Sequence, residues 1–480
     1  MLNYSLHRTE AEEELFESEL EASNNLKNPF PGLRPFGIDE CHLFFGREDQ
    51  VDEILLKLSQ NRFISLLGYS GSGKSSLMHC GVIPVLYGGF MTNEGPNWSV
   101  VVSRPGGNPI ENLAEALLHR AAILSSSEED HAIKHKVTTA LLKTGSQGLV
   151  DIARHYKAVS GENLLILIDQ FEELYRFAEI NSENKNEASQ FINLLMDAIE
   201  QDEVPIYVAT TMRSDFIGES AQHARLTNHI NKSSYVIPLM SRQQKRIAIE
   251  GPIAVGGGRV SERLVNRLLQ EIGDNQDQLP IMQHALMRTW EYWVEHREQG
   301  EEIDIRHYNA IGKISDALSL HADEAYDELS DKGKRIAEVL FKALTETGED
   351  NFGIRRRSSI KEIASIATVS HLEVIEVVEH FRMPGRSLLM PALPIELTSD
   401  SVVEISHESL MRIWTRLRIW VEEETDSAKM YSRISEAAEM HQVGRSGLWR
   451  PPDLQLALNW QKKQLPTRQW AERYNAAFER

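Results

Sequence analysis

The chain reads as an α/β protein: a doubly wound parallel sheet, then helices, a helix–turn–helix with a small β ribbon, and a C-terminal helical segment. Three observations predict this. Residues 164–168 (Leu-Leu-Ile-Leu-Ile) are wholly apolar, as a central strand covered on both faces must be. The run Phe63-Ile64-Ser65-Leu66-Leu67 enters a glycine-rich loop and then a helix. Strands and helices alternate to about residue 240 and give way to helices alone from about 242 to 345.

Each element has a local reason. Residues 1–27 read as a frayed acidic tail, with a helix expected at 10–20. Pro29, Pro31 and Pro35 then forbid helix continuation and mark the entrance of the first folded domain. Residues 48–60 form a helix, because Val51, Ile54, Leu55 and Leu58 fall at i, i+3, i+4 and i+7. Residues 187–201 form another, through Phe191, Leu194, Leu195, Ala198 and Ile199, and a strand at 205–211 follows. Helix, turn, helix at 360–382 precede two β pieces, 387–390 and 402–406, which is the outline of a winged helix. The expected segments are 1–27, 28–240, 241–330, 331–426 and 427–480.

Composition narrows the function. Among 480 residues, 51 Lys and Arg stand against 71 Asp and Glu, a net charge of −20 that repels phosphate backbones. Residues 1–21 concentrate this excess: Glu10, Glu12, Glu13, Glu14, Glu17, Glu19 and Glu21 face Arg8 alone, a candidate docking segment for a basic partner. Cys41 and Cys80 cannot build a disulfide framework or a four-thiolate zinc site. No apolar run approaches the ~20 residues that cross a bilayer, and no basic leader opens the chain. A cytoplasmic protein without a membrane segment is expected.

The chemistry begins at Gly68-Tyr69-Ser70-Gly71-Ser72-Gly73-Lys74-Ser75, which matches G-x-x-x-x-G-K-[ST]. Its glycines let successive backbone N–H groups turn toward a phosphate, and the helix that starts there adds its N-terminal dipole. Lys74 is expected at the β- and γ-phosphates, and the Ser75 hydroxyl on Mg²⁺. Asp169 ends the 164–168 strand, where the second metal-binding carboxylate belongs. One of Glu172 and Glu173 would orient or deprotonate the attacking water; the residues alone do not separate them, and both also suit a helix N-terminus. Arg213 ends the next strand, at the edge where a γ-phosphate sits, unless it pairs with Asp215 instead.

With these residues in place, the chain resembles a STAND-class P-loop ATPase, related to the AAA+ proteins, and within that class the bacterial novel STAND NTPase 1 group. The resemblance rests on separated blocks from Asn28 onward. They are Gly32-Leu33-Arg34-Pro35-Phe36, Leu43-Phe44-Phe45-Gly46-Arg47-Glu48, the phosphate loop with Ser75-Ser76-Leu77, and Asp169-Gln170-Phe171-Glu172-Glu173-Leu174. Further on come Ile249-Glu250-Gly251-Pro252, Leu279-Pro280-Ile281-Met282-Gln283-His284-Ala285-Leu286, and Ser406-His407-Glu408-Ser409-Leu410 with Trp414. The resemblance implies a P-loop NTPase with a doubly wound parallel sheet, a helical lid domain, a winged-helix domain and a C-terminal helical segment. It implies that Phe45 and Arg47 help wall the adenine, that Pro280 packs on the base, and that His407 reaches the β-phosphate of ADP. Gln278 stands where the lid motif has glycine, and Glu408 and Ser406 replace the Asp and Met that flank the histidine in the family.

The resemblance also implies ATP or ADP with Mg²⁺ as ligands and a slow ATPase that acts as a switch. Nucleotide state would control conformation and homo-oligomerisation, in bacterial stress or antiphage defence. Members commonly carry a repeat sensor after the final block and an effector domain before the first. Trp470-Ala471-Glu472-Arg473-Tyr474 and Phe478-Glu479-Arg480 read as the last block, so separate sensor and effector proteins are expected partners, unless the chain is a truncated form. The alternative is an ATP-dependent DNA-binding regulator using the winged helix. Arg355, Arg356, Arg357, Arg382 and Arg386 favour it, whereas Glu373, Glu376 and Glu379 on the second helix oppose it.

Overall fold

The computed structural model describes residues 26–92, 95–121, 128–145, 147–273, 278–347, 353–383, 385–393 and 395–474. The helix expected at 10–20, the acidic docking segment and Phe478-Glu479-Arg480 lie outside them. The chain divides into two compact units, one of Pro35–Arg259 with Val265–Leu279, the other drawn from Met1–Arg34, Val260–Leu264 and Pro280–Arg480. No helix among the described residues is long and apolar enough to cross a membrane.

The first unit is built on five parallel strands, β1 (Phe63–Gly68), β2 (Trp98–Ser103), β3 (Asn163–Ile168), β4 (Ile206–Arg213) and β5 (Ser234–Val236). Their order is β2-β3-β4-β1-β5. Side chains alternate between the faces, and along β1, β3 and β4 both faces are buried. Phe63, Leu67, Ile166, Ile168 and Val208 meet Leu113, Leu149, Leu174, Phe191 and Leu195 from helices on one side. Ile64, Leu66, Leu165, Leu167 and Ala209 meet Ile54, Leu58, Leu77, Met78 and Val82 on the other. This is the doubly wound sheet that the apolar run at 164–168 predicts. Truncating any of these leucines to alanine costs about 2–5 kcal/mol.

The register aligns the chemistry. Gly68 of β1 pairs with Arg213 of β4, and Ser103 of β2 pairs with Ile168 of β3. The carboxyl ends of four strands therefore share one edge of the sheet. Strands β1, β3 and β4 stand where expected. Strands β2 and β5 were not anticipated: β2 mixes serines with valines, and β5 is only 3 residues long.

The second unit is mainly helical. Helices Gln278–His296, Lys313–Asp327 and Asp331–Ala343 lead to a two-stranded antiparallel pair, β6 (Thr345–Thr347) with β7 (Gly353–Arg355). Then come β8 (Ser358–Ser359), helices Ile360–Ala367 and His371–Arg382, β9 (Leu389–Met390) and β10 (Val402–Ile405). The last three strands form an antiparallel sheet in the order β8-β10-β9. The expected helix–turn–helix and β ribbon are thus present as elements, sharing a core in which Phe341 meets Phe381 and Trp414 at centroid distances of 4.9 Å. Ser370 closes a capping box with Glu373 at the second helix's start. Thr415–Gln442 is one 28-residue helix, so the division expected between residues 426 and 427 falls inside an element.

Candidate functional site

The phosphate loop leaves β1 at Gly68. Gly71 and Gly73 adopt φ of +73° and +89°, which an L side chain resists. At Gly68 the constraint is space: a Cβ there would lie 2.7 Å from Ser72 Oγ. That hydroxyl is buried without a hydrogen-bond partner among the described residues. Ser70, just before Gly71, is half-buried. The following helix starts at Lys74, runs as a π-helix over Leu77–Val82, and resumes as Ile83–Tyr87, which contains Pro84. Departures of this kind are frequent at functional sites.

Lys74 Nζ donates to the Gly68 and Tyr69 carbonyls, at 2.9 and 2.7 Å. Burial lowers its pKa, and Arg213 adds to that, against the pull of Glu172 and Asp169. Ser75 Oγ donates to Asp169 Oδ1 at 2.7 Å, so the hydroxyl and the carboxylate expected to hold a metal are in contact. The donors are hard oxygens, which fits Mg²⁺. No group of three or more His, Cys, Asp or Glu that would cage a metal occurs among the described residues. A Mg²⁺ ion here would take most of its remaining ligands from phosphate and water.

Asp169 is wholly buried, and the sheet supplies its partners. Thr211 Oγ1 donates to Oδ1 at 2.6 Å, and Arg104 Nε and Nη2 donate to Oδ2 at 3.2 and 3.1 Å. Burial alone would raise this carboxyl, but Arg104, His79, Thr211 and Ser75 together hold it below the usual carboxylate range. Gln170 then turns sharply at φ +59°, its N–H held by Thr211 Oγ1 at 2.9 Å. Backbone in that region is strained for a non-glycine residue. The turn delivers the two glutamates at the head of helix Glu172–Ile180.

The glutamates diverge. Glu172 is buried, and its Oε2 accepts from Arg213 N at 3.3 Å. Burial pushes its carboxyl up, with the Asp169 charge adding, while Lys74 and backbone N–H groups pull the other way. Glu173 Oε2 instead accepts from Gly106 N at 3.1 Å, in the loop after β2. Arg213 pairs with Asp215, Nε to Oδ1 at 3.1 Å and Nη2 to Oδ2 at 2.7 Å, with its guanidinium over Phe216. That is the local pairing weighed as the alternative for this residue.

The block around residue 45 is anchored on helix Arg242–Val255. A Cβ at Gly251 would lie 2.7 Å from the Phe45 ring, and one at Gly46 2.8 Å from the Gln244 carbonyl. Buried Arg47 donates to the Pro238 carbonyl at 2.8 Å and to the Ser72 carbonyl at 3.4 Å, tying this block to the phosphate loop. Ser76 Oγ accepts from Phe36 N at 3.2 Å, which ties the Gly32–Phe36 block to the helix after the phosphate loop.

Pro280 and His407 belong to the other compact unit. Pro280 lies in the first turn of helix Gln278–His296, where proline forfeits no hydrogen bond. His407 Nδ1 meets Ser409 N at 3.2 Å and Ser409 Oγ at 2.8 Å. Since the Ser409 N–H can only donate, the neutral ring carries its proton on Nε2.

Sequence reasoning missed Arg104, Thr211 and His79. Arg104 directly follows the end of β2, the same kind of position that singled out Arg213. Its strand, with serines among the valines, has no uninterrupted apolar run to mark it in the sequence.

No curated protein matches the chain by sequence. Among solved structures, it is similar to the ORC1 protein of Aeropyrum pernix in complex with DNA, at 12% identity and a TM-score of 0.41, covering 81% of this chain and 94% of that one. It is also similar to the Aeropyrum pernix ORC2 protein in ADPNP–ADP complexes, at 12% identity and a TM-score of 0.40, covering 79% and 93%. The Drosophila ORC bound to DNA overlaps at 14% identity and a TM-score of 0.38, covering 87% and 95%. These overlaps are remote. The family profile for novel STAND NTPase 1 matches residues 29–446, which takes in the phosphate loop, the Asp169 turn and the block around His407. The chain belongs to the novel STAND NTPase 1 family.

Proposed function

We propose that this NTPase is an ATP-driven signalling switch whose ATP or ADP state sets its conformation and its self-association. The observation that supports it best is the contact of Ser75 with Asp169 beside a complete phosphate loop. In this reading Lys74 exchanges the Gly68 and Tyr69 carbonyls for the β- and γ-phosphates, and the loop N–H groups from Ser70 to Ser75 follow them. Ser75 and Asp169 would hold Mg²⁺, which offsets phosphate charge as the γ-phosphoryl group departs. Glu172 takes or orients the proton of the attacking water; its raised pKa suits a group that must accept a proton near neutral pH. Arg213 leaves Asp215 for the γ-phosphate, while Phe45 and Arg47 flank the base.

His407 presents an Nε2 proton, the polarity needed for a phosphate oxygen, and would lock the ADP form; Pro280 would pack on the base. The lid (241–330) and winged helix (331–426) are the parts such a switch would rearrange, with the terminal segment (427–480) following the winged helix through the continuous helix Thr415–Gln442. Separate sensor and effector proteins, and a setting in stress or antiphage defence, carry over from the family resemblance. The DNA-binding alternative is opposed by local neutralisation. Arg356 pairs with Glu362, Arg357 with Glu404, Arg382 with Glu379 and Arg386 with Glu328, while Arg355 donates to the Ile405 and Ser406 carbonyls.

Light scattering with Mg·ADP and Mg·ATP tests the switch. A larger mass with ATP than with ADP is expected, and His407→Ala should raise the associated fraction in ADP. Identical mass in both nucleotides, for both proteins, would refute it.

A further inference from the structure

Asp169 has no exposed surface, and a carboxylate at that depth requires a counter-charge. Lys74 is hydrogen-bonded to loop carbonyls rather than to it. Among the described residues, the cation in contact with Asp169 is Arg104, both of whose donors fall on Oδ2. The two carboxylate oxygens therefore have different partners: hydroxyls on Oδ1, a guanidinium on Oδ2.

The arginine's backbone is firmly placed. Asp169 N donates to the Ser103 carbonyl at 2.9 Å, and Asn112 Nδ2 donates to the Arg104 and Pro105 carbonyls at 3.2 and 2.9 Å. Gly106 N is held by Glu173. The side chain has room, being 30% exposed. It borders a cavity of about 580 Å³ also lined by Ser103, Asn112, Glu115 and His119. The Arg104 side chain thus stands between the buried carboxylate and this cavity.

We propose that Arg104 is the resident counter-cation of the metal-binding carboxylate: it neutralises Asp169 in the metal-free protein and competes with Mg²⁺ for Oδ2. Mg²⁺ then enters well only together with nucleotide, whose phosphates supply further ligands. Arg104 is a positioning residue that sets the Mg²⁺ requirement of nucleotide binding. This rests on reading Asp169 as a Mg²⁺ ligand.

The test measures fluorescent ADP binding across a Mg²⁺ titration, and urea unfolding of nucleotide-free protein in EDTA and in Mg²⁺. For Arg104→Ala, the half-saturating Mg²⁺ should fall by about tenfold or more, the scale of a charge-assisted hydrogen bond that no longer competes for Oδ2. The same variant should be less stable than wild type in EDTA and regain stability in Mg²⁺, whereas wild type is indifferent to the ion. Arg104→Lys, which keeps the charge, should stay near wild type. If Arg104→Ala does not fold in EDTA, Asp169→Asn combined with Arg104→Ala should restore folding, because the charge and its partner leave together. An unchanged Mg²⁺ midpoint, an equal loss of ADP affinity with and without Mg²⁺, or no rescue in the double variant would overturn the proposal. Asp169→Asn alone separates the two levels. If it retains the wild-type Mg²⁺ dependence, the metal-site reading fails; if it abolishes that dependence while Arg104→Ala shifts nothing, only the role of Arg104 fails.

Discussion

Glu172 and Glu173 are neighbours at the head of one helix, and the structure sends one carboxylate toward Arg213 and the field of Lys74 and the other to the β2 loop. Glu172→Gln should therefore keep nucleotide binding and slow phosphate release by about 100-fold or more, the scale of a lost general base. Glu173→Gln should change turnover little and weaken the β2 loop, by about 1 kcal/mol in urea unfolding. Equal slowing by both variants would contradict this division. The residues themselves could not separate the pair, because the distinction lies in the partner each meets across the sheet. Lys74, Ser75 and Asp169 were legible, since the loop and the strand end carry them at fixed positions. Arg104 and Thr211 were not: they reach Asp169 from strands β2 and β4, and only the order β2-β3-β4 makes them its neighbours.

The elements were legible wherever one period ran long enough. Helix Glu48–Asn61 buries Val51, Ile54, Leu55 and Leu58 as its spacing requires. Strand β3 is buried along its whole length, as an uninterrupted apolar run demands. Contacts between elements were not legible, and one of them carries a pH dependence. Helices Gln278–His296 and Lys313–Asp327 meet through His284 and His321, both buried, with Nε2 and Nδ1 3.0 Å apart. Burial, aided by the Arg288 charge, pushes His284 down from 6.5 to about 3, and burial pushes His321 well down too. Both rings are neutral in the fold, while the unfolded chain protonates them below about pH 6.5. The unfolded state thus binds more protons there, so stability is full above that pH and falls as pH drops toward 3. The loss is about 1.4 kcal/mol per pH unit for each imidazole. Urea unfolding at pH values on either side of 6.5 should show it, and His284→Asn should flatten the slope. An unchanged slope in that variant would place the proton uptake elsewhere.

At the scale of the whole molecule, the chain pairs a nucleotide unit with a unit that contains Pro280 and His407. Their sequence blocks are separated by hundreds of residues, so only the family resemblance linked them in advance; composition and periodicity were silent. The same holds for the arginines near the small antiparallel sheet. As a run they suggested DNA, and in the fold each has an acidic or carbonyl partner close by. Everything proposed for the switch depends on nucleotide binding at the loop 68–75. Calorimetric titration of ATP with Mg²⁺ into wild type and Lys74→Ala tests this most directly. Wild type should bind, and the variant should lose about 100-fold or more in affinity, the scale of a lost charge-assisted contact. Equal and tight binding by both proteins would contradict the assignment of the site.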